Sequence, residues 1–375
     1  MRRFEALDAF RGLAALGIVA VHVDFTARPW WVPENAQLYL LVDFFFVLSG
    51  FVISHSYSRR IENTGDVGIF MWRRLGRVWP LHMVMLACLL MFEVLKVALT
   101  ATGAPSIEPF TGFAAPNSIT QNLLLLNSLG TTPGLSWNVP SWSISGELVA
   151  YLVFSGVIYF AVPVRLVSMV IVISCLAVLM NFSPRGMDAT FDFGAIRCMA
   201  GFFAGCFAYS LYRARPAASD SNDFLWTIAE LVTLVVVLSY LSIARTTWLS
   251  FAAPLVFSAC VLVFSMDRGL VSKALQAPWF AFLGRISYSI YMVHFVLLAV
   301  VVQCTMVVAR LAPAVSAWFP FKDDLFTLGL LLLVIAGSSV TYRFVELPGM
   351  AFFRQLERRS GRRQAESEDR PRTPY

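Results

Sequence analysis

Roughly ten stretches of this chain are apolar over about the 20 residues that a helix needs to cross the hydrocarbon core of a membrane. No other feature limits the fold as tightly. The stretches lie near residues 10–25, 37–57, 78–99, 142–163, 166–182, 195–212, 224–243, 247–266, 280–309 and 325–345. Of the 375 residues, 58% are hydrophobic and 14% charged, where a soluble domain is about a quarter charged; the mean hydropathy is +0.69. The expected fold is all-α, a polytopic transmembrane helical bundle of about ten spans.

The first stretch follows the charged start MRRFEALDAFR, as the apolar part of a signal peptide would, yet no clear small-residue cleavage site ends it and nine further stretches follow. It reads as the first membrane helix. Cys88, Cys175, Cys198, Cys206, Cys260 and Cys304 fall in or near apolar segments without paired zinc spacing, which fits core packing better than disulfides or metal. No internal repeat is evident, and the polar basic tail, residues 354–375, reads as disordered.

Orientation follows from the cations. With the N-terminus inside and ten spans, the inner segments hold Arg2, Arg3, Arg59, Arg60, Arg73, Arg74, Arg77, Arg165, Arg213, Arg215, Arg268, Lys273, Arg285, Arg343 and the arginines of the tail. The outer loops hold Arg28, Arg185, Arg197, Arg245, Arg310 and Lys322. Short cytoplasmic loops collect Lys and Arg, so both termini are expected in the cytoplasm. The same asymmetry accounts for the net charge of +6 without nucleic acid, since basic clusters beside a membrane ordinarily meet anionic lipid head groups.

Ionisable residues inside apolar spans are costly and mark either function or a buried partner. In the first span, Arg11 and His22 are eleven residues apart, which on a helix returns them to within about 20° of one direction and separates them by roughly 16 Å. A satisfied core imidazole and a snorkelling arginine would give the same pattern. The second span carries Asp43 and then FFFVLSG, with Ser49 and Gly50 near its middle; the run SWSISGELVAYL carries Glu147 after Ser141, Ser143 and Ser145. Counted along their helices, His22, Asp43 and Glu147 lie at matching depth in the outer half of the bilayer. A histidine oriented by a carboxylate can take a proton from a hydroxyl, although a structural ion pair or a transporter's proton relay would use the same residues.

On the inner side, FMWRRLGRVWPLH sets Arg73, Arg74 and Arg77 at helical spacing, so that they form one guanidinium face. Such a face suits the phosphates of coenzyme A and those of lipid equally. No Walker loop or GxGxxG cradle is present, which argues against transport energised by the chain itself. His55 and His82 read as interfacial; His294, in GRISYSIYMVHF, lies near mid-membrane and fits a core or a site role. The segment SITQNLLLLNSLG is too short and polar to span and is expected at the outer interface or re-entrant, with Trp137 and Trp142 as stacking surfaces for a sugar.

In this order the motifs resemble the bacterial transmembrane acyltransferase type 3 family, whose members acylate cell-surface glycans. The Arg, ten residues, His pattern falls on Arg11 and His22; FFxxSG on Phe45, Phe46, Ser49 and Gly50; RRxxRxxP on Arg73, Arg74, Arg77 and Pro80. WSLSxE is matched by Trp142, Ser143, Ile144, Ser145 and Glu147, with Gly146 where relatives often carry a larger or acidic residue. SYSxYLxH is similar to Ser287, Tyr288, Ser289, Tyr291 and His294, and YRFxExP to Tyr342, Arg343, Phe344, Glu346 and Pro348.

The resemblance spans nearly all of residues 4–353 and implies one transmembrane acyltransferase domain, 1–353, in the bacterial inner membrane. It implies acyl-CoA, with acetyl as the expected group, as donor, and a hydroxyl of an extracytoplasmic glycan or glycolipid as acceptor. His22 is then the base, oriented by Glu147 or Asp43, while Arg11, Arg73, Arg74, Arg77 and Ser49 hold the donor. No metal is required, because a thioester is already activated. Some relatives carry a fused extracytoplasmic domain after an added span; the chain is expected to lack one and to act alone or with a separate partner. The rival readings are a glycan or lipid transporter gated by the buried charges and a non-catalytic scaffold of a polysaccharide-assembly complex.

Overall fold

A computed structural model describes residues 3–23, 37–103, 108–215, 222–244, 248–312 and 324–368. Among them there are helices and turns and no strand. The outer-loop cations Arg28, Arg245 and Lys322 and the last seven residues of the tail lie outside the described residues.

Among the described residues, eight helices are long and apolar enough to cross a membrane. They include α2 (Leu41–Tyr57), α3 (Thr64–Ala101), α5 (Ser141–Tyr159), α6 (Val164–Phe182) and α7 (Gly194–Ala214). The set is completed by α8 (Asp223–Ile243), by α11 (Pro278–Leu311), which follows the short α10 (Leu270–Leu275), and by a last composite helix whose candidate span runs from Phe326 to Arg359. That composite joins α12 (Asp324–Thr341), a π-helical turn (Tyr342–Glu346) and α13 (Leu347–Glu368). Two expected spans fall short. Helix α1 (Glu5–Val23) carries Glu5, Asp8 and Arg11 in its first two turns, and the stretch Trp248–Phe264, whose helical part is α9 (Ala253–Phe264), is too short.

The inner arginine segment is helical throughout. Helix α3 begins fourteen residues before the expected span, where Asn63 and Asp66 form a reciprocal capping box: the Asp66 amide donates to Asn63 Oδ1 at 3.0 Å and the Asn63 amide to Asp66 Oδ2 at 3.2 Å. At 1.5 Å per residue the 38-residue helix is about 57 Å long, well beyond a hydrocarbon core of about 30 Å, so its first turns carry the arginines at the end of the bundle. The tail expected to be disordered continues α13 as far as Glu368.

Burial separates central from peripheral helices. In α7, 67% of the most apolar window is buried, in α8 only 17%. Helix α8 turns Leu231, Val232, Val235 and Leu238 outward, and α6 turns Met169, Val170 and Ile173 outward, as lipid-facing helices do. Central helices meet at small residues, because close packing rather than water exclusion drives helix association in lipid. A Cβ at Gly50 of α2 would collide with the Phe202 carbonyl of α7. Likewise, a Cβ at Gly12 of α1 would meet Leu283 of α11, and one at Gly284 the Asp8 carbonyl.

Between α3 and α5 the chain folds back into the bundle. In α4 (Ile119–Leu123) the Asn122 carbonyl accepts from His82 Nε2 at 2.8 Å; after it, Asn127 Nδ2 donates to Ser141 Oγ at 2.9 Å and Asn138 Nδ2 donates to the Met292 carbonyl at 3.2 Å. His82 is therefore buried against this segment and not interfacial. Trp137 and Trp142 are buried too and offer no open face to a sugar.

Candidate active site

Helices α2, α3, α5 and α11 enclose a cavity of about 190 Å³, lined among others by Arg11, Arg74, Arg77, Ser49, Glu147 and Tyr291. A second cavity of about 160 Å³ lies beside it and shares Arg74 and Arg77, adding Arg73, Trp72, Phe353 and Arg354. Helical geometry explains the division: at about 100° per residue Arg77 points between Arg73 and Arg74, which themselves diverge by about 100°.

Of the four arginines expected to hold the donor, Arg11, Arg73 and Arg77 are committed to carboxylates. Arg73 forms a two-point ion pair with Glu357 of α13, at 3.0 and 2.6 Å. Arg77 pairs with Glu346. Arg11 approaches Asp8 at 3.3 Å and donates to Ser287 Oγ at 2.9 Å and to the Gly284 carbonyl at 2.7 Å. Arg74 differs: it donates to the neutral Tyr57 hydroxyl at 3.2 Å, lies 5.2 Å from the Tyr57 ring centroid, and its buried Nε has no hydrogen-bond partner among the described residues. A buried donor of this kind costs free energy until an acceptor arrives, and a phosphate oxygen is a fitting one.

Deeper in the cavity, Ser49 donates a short hydrogen bond to Glu147, and the Tyr151 hydroxyl lies 3.2 Å from Ser49 Oγ. Gly146 lets α5 carry this carboxylate close to α7, because a Cβ there would stand 2.9 Å from Cys198 Cβ. Tyr291 lines the cavity from α11: its hydroxyl lies 2.8 Å from Ser143 Oγ and donates to the Pro140 carbonyl at 3.2 Å, and its ring centroid is 5.8 Å from that of Phe45.

Beyond Tyr291 stands a pair of histidines. The rings of His22 and His294 have centroids 4.8 Å apart, and the Tyr291 ring is 6.1 Å from that of His294. Each imidazole is fixed by the carbonyl four residues earlier on its own helix, His22 Nδ1 to Ile18 at 2.9 Å and His294 Nδ1 to Ile290 at 3.1 Å. A carbonyl can only accept, so each Nδ1 carries the hydrogen and each neutral ring keeps its lone pair on Nε2.

The carboxylates expected to orient His22 are engaged elsewhere. Glu147 lines the cavity with Ser49. Asp43 is fully buried and held by Arg197, Nε to Oδ1 at 3.0 Å and Nη2 to Oδ2 at 2.7 Å. Matching depth along three helices did not bring the side chains together, because depth says nothing about the face of each helix. The small residues of α1 are likewise used in packing: Gly12 abuts α11, and Ala14, Ala15 and Ala20 are buried, so from α1 only Arg11 lines the cavity.

Sequence reasoning missed Arg197 and Glu346. Arg197 was counted with the outer loops but lies in the first turn of α7, 1% exposed and 5.4 Å from the Trp142 ring centroid; an arginine inside the apolar run GAIRCMAGFF was the available signal. Glu346 is carried inward by the π-helical turn, a feature that clusters at functional sites. It accepts from Arg77 and, through its other oxygen, from Ser289 Oγ at 2.8 Å. Among the described residues no group of three or more His, Cys, Asp or Glu is gathered for a metal ion.

Fold and cavity define a multi-pass, all-helical membrane protein with an arginine-lined chamber between its helices. The chain belongs to the acyltransferase type 3 family, whose model, described as an acyltransferase domain, matches residues 4–343. It is 33% identical over 162 residues to protein 2 in the picA locus of Rhizobium radiobacter, covering 41% of this chain and 81% of that one. It is 28% identical over 163 residues to the acyltransferase MdmB of Streptomyces mycarofaciens, covering 40% of this chain and 38% of that one. A Staphylococcus aureus (strain COL) protein provisionally named an O-acetyltransferase is 34% identical over 88 residues, 23% of this chain and 13% of its own. The chain thus spans well under half the length of the last two. No solved structure matches.

Proposed function

We propose that this acyltransferase moves an acyl group, acetyl in the first instance, from cytoplasmic acyl-CoA to a hydroxyl of an extracytoplasmic glycan or glycolipid. It does so in a bacterial inner membrane, with ten spans and both termini in the cytoplasm; α1 and the 248–264 stretch complete the count. The observation that carries this reading is the continuity of one chamber from Arg11, Arg74 and Arg77 up to Tyr291, whose ring abuts His294 of the His22 pair.

A coenzyme A thioester has anionic phosphates at one end and a slender arm with amides at the other. The arginine end suits the phosphates, Arg74 above all, and the hydroxyls of Ser49, Tyr151 and Tyr291 together with Glu147 suit the arm. The aromatic walls Phe45, Phe46 and Tyr288 keep water from the thioester. At the outer end His22 Nε2 takes the acceptor's proton as its oxygen bonds to the acyl carbon; the carbon–sulfur bond breaks, and the coenzyme A thiolate ends as thiol. His22 is then the base, and Glu147 acts on the donor arm rather than on the imidazole. Lipid contact is confined to the outward faces of helices such as α6 and α8.

Sealed vesicles of known orientation test this. Labelled acyl-CoA offered on the cytoplasmic face should label acceptor on the opposite face, with free coenzyme A left behind. Transfer that requires donor and acceptor on one face rejects the transmembrane route. A transporter would instead move labelled glycan down or against a gradient without consuming acyl-CoA.

A further inference from the structure

We infer that His294 is a positioning residue for His22: it accepts, through Nε2, the hydrogen bond of the Nε2–H that His22 acquires from the acceptor hydroxyl. The inference rests on the functional reading above and assigns to a second imidazole the stabilising part expected of a carboxylate.

Three observations carry it. The rings are adjacent, with centroids 4.8 Å apart and planes at 58°. His294 is 1% exposed, and its Nε2 has no hydrogen-bond partner among the described residues. Its Nδ1 is already spent on the Ile290 carbonyl, so the bare Nε2 is an acceptor held in place by its own helix. A buried acceptor left unpartnered is costly and calls for an explanation. His22 supplies one, because its Nδ1–H is used by the Ile18 carbonyl and the proton taken in the reaction must sit on Nε2. The imidazolium so formed is half-buried beside Phe295, edge-on at 6.3 Å, where a partly desolvated cation is stabilised by an acceptor. Asp43 and Glu147 are occupied by Arg197 and Ser49. In proton balance the pair holds one proton between two Nε2 atoms while the acyl group transfers, and returns it to the leaving thiolate.

The chain has four histidines, so ¹⁵N-histidine labelling of the whole protein in lipid gives a spectrum simple enough to assign by substitution. The experiment combines that spectrum with turnover of acetyl-CoA for wild type, His294→Phe, which keeps an aromatic ring and loses the acceptor, and His294→Gln, which restores an acceptor oxygen. Expected are Nδ1–H tautomers at both His22 and His294 and a shifted His22 Nε2 resonance in His294→Phe. Turnover should fall at least tenfold in kcat with donor KM within twofold, and His294→Gln should recover a large part of it. Should His294→Phe turn over like wild type, or lose activity only through donor KM or failed folding while His294→Gln behaves the same, the inference is overturned. If wild type itself transfers no acyl group, the functional reading fails instead, and an unmoved His22 resonance in His294→Phe would then reject the pairing independently.

Discussion

Arg77 and Glu346 are joined by an ion pair that fastens α3 to the π-helical turn, and the second oxygen of Glu346 accepts from Ser289 Oγ of α11. The carboxylate is fully buried, whereas Arg77 opens into both cavities. The two interactions of one carboxylate therefore tie α3, the π-helical turn and α11 together and present a guanidinium to the chamber.

Replacing Glu346 by Ala leaves that guanidinium without its carboxylate. Arg77 stays partly exposed, so the loss is that of a charge-assisted hydrogen bond, about 1.5–3 kcal/mol, and the variant's melting temperature in detergent should drop. Added coenzyme A should restore part of the loss, since its phosphates supply the missing charge. An unchanged melting curve would show that the pair contributes nothing.

Asp43 and Arg197 are both buried and paired at 2.7 Å, which predicts a structural role. Asp43→Asn should destabilise the fold, whereas Asp43→Leu combined with Arg197→Met should regain much of the stability, because an apolar pair avoids the desolvation cost. Thermal melts of the single and double variants decide this, and turnover measured per folded molecule should follow the same order. Full stability of Asp43→Asn with lost turnover would return Asp43 to the chemistry.

Neighbouring arginines should differ. Arg73 is 44% exposed and held by Glu357, and such a pair is worth about 0–1 kcal/mol, so Arg73→Ala should change coenzyme A affinity little. Arg74 has a buried donor in waiting. Removing a charge-assisted hydrogen bond of about 1.5–3 kcal/mol should raise the dissociation constant by about tenfold or more. Calorimetric titration of both variants with coenzyme A measures the contrast; equal effects would contradict it.

His22→Ala should lower transfer by about 10²–10⁴-fold with coenzyme A affinity retained, because the histidine pair stands beyond Tyr291 and outside the chamber lining. Glu147→Gln should act on donor KM, given that Glu147 lines the chamber beside Ser49. Steady-state kinetics with varied acyl-CoA separate the two effects. A Glu147→Gln variant that loses kcat alone would place the carboxylate at the histidine after all.

Much of this protein was legible in one dimension. Hydrophobicity is a local property, so apolar runs announced the bundle, and the eleven-residue interval placed Arg11 and His22 along one helix because the α-helical period is intrinsic to the backbone. What the linear order could not determine was azimuth. Residue counting sets a side chain's depth, but the direction it faces depends on how helices pack around one another, and that depends on contacts distant in sequence. Hence Asp43 meets Arg197, 154 residues away, Glu147 meets Ser49, and His22 meets His294, although all three sites were visible separately. The same reason divides Arg73 from Arg74: adjacent in sequence, they face directions about 100° apart, and only the placement of α13 decides that one is neutralised by Glu357 while the other keeps a buried Nε without a partner among the described residues.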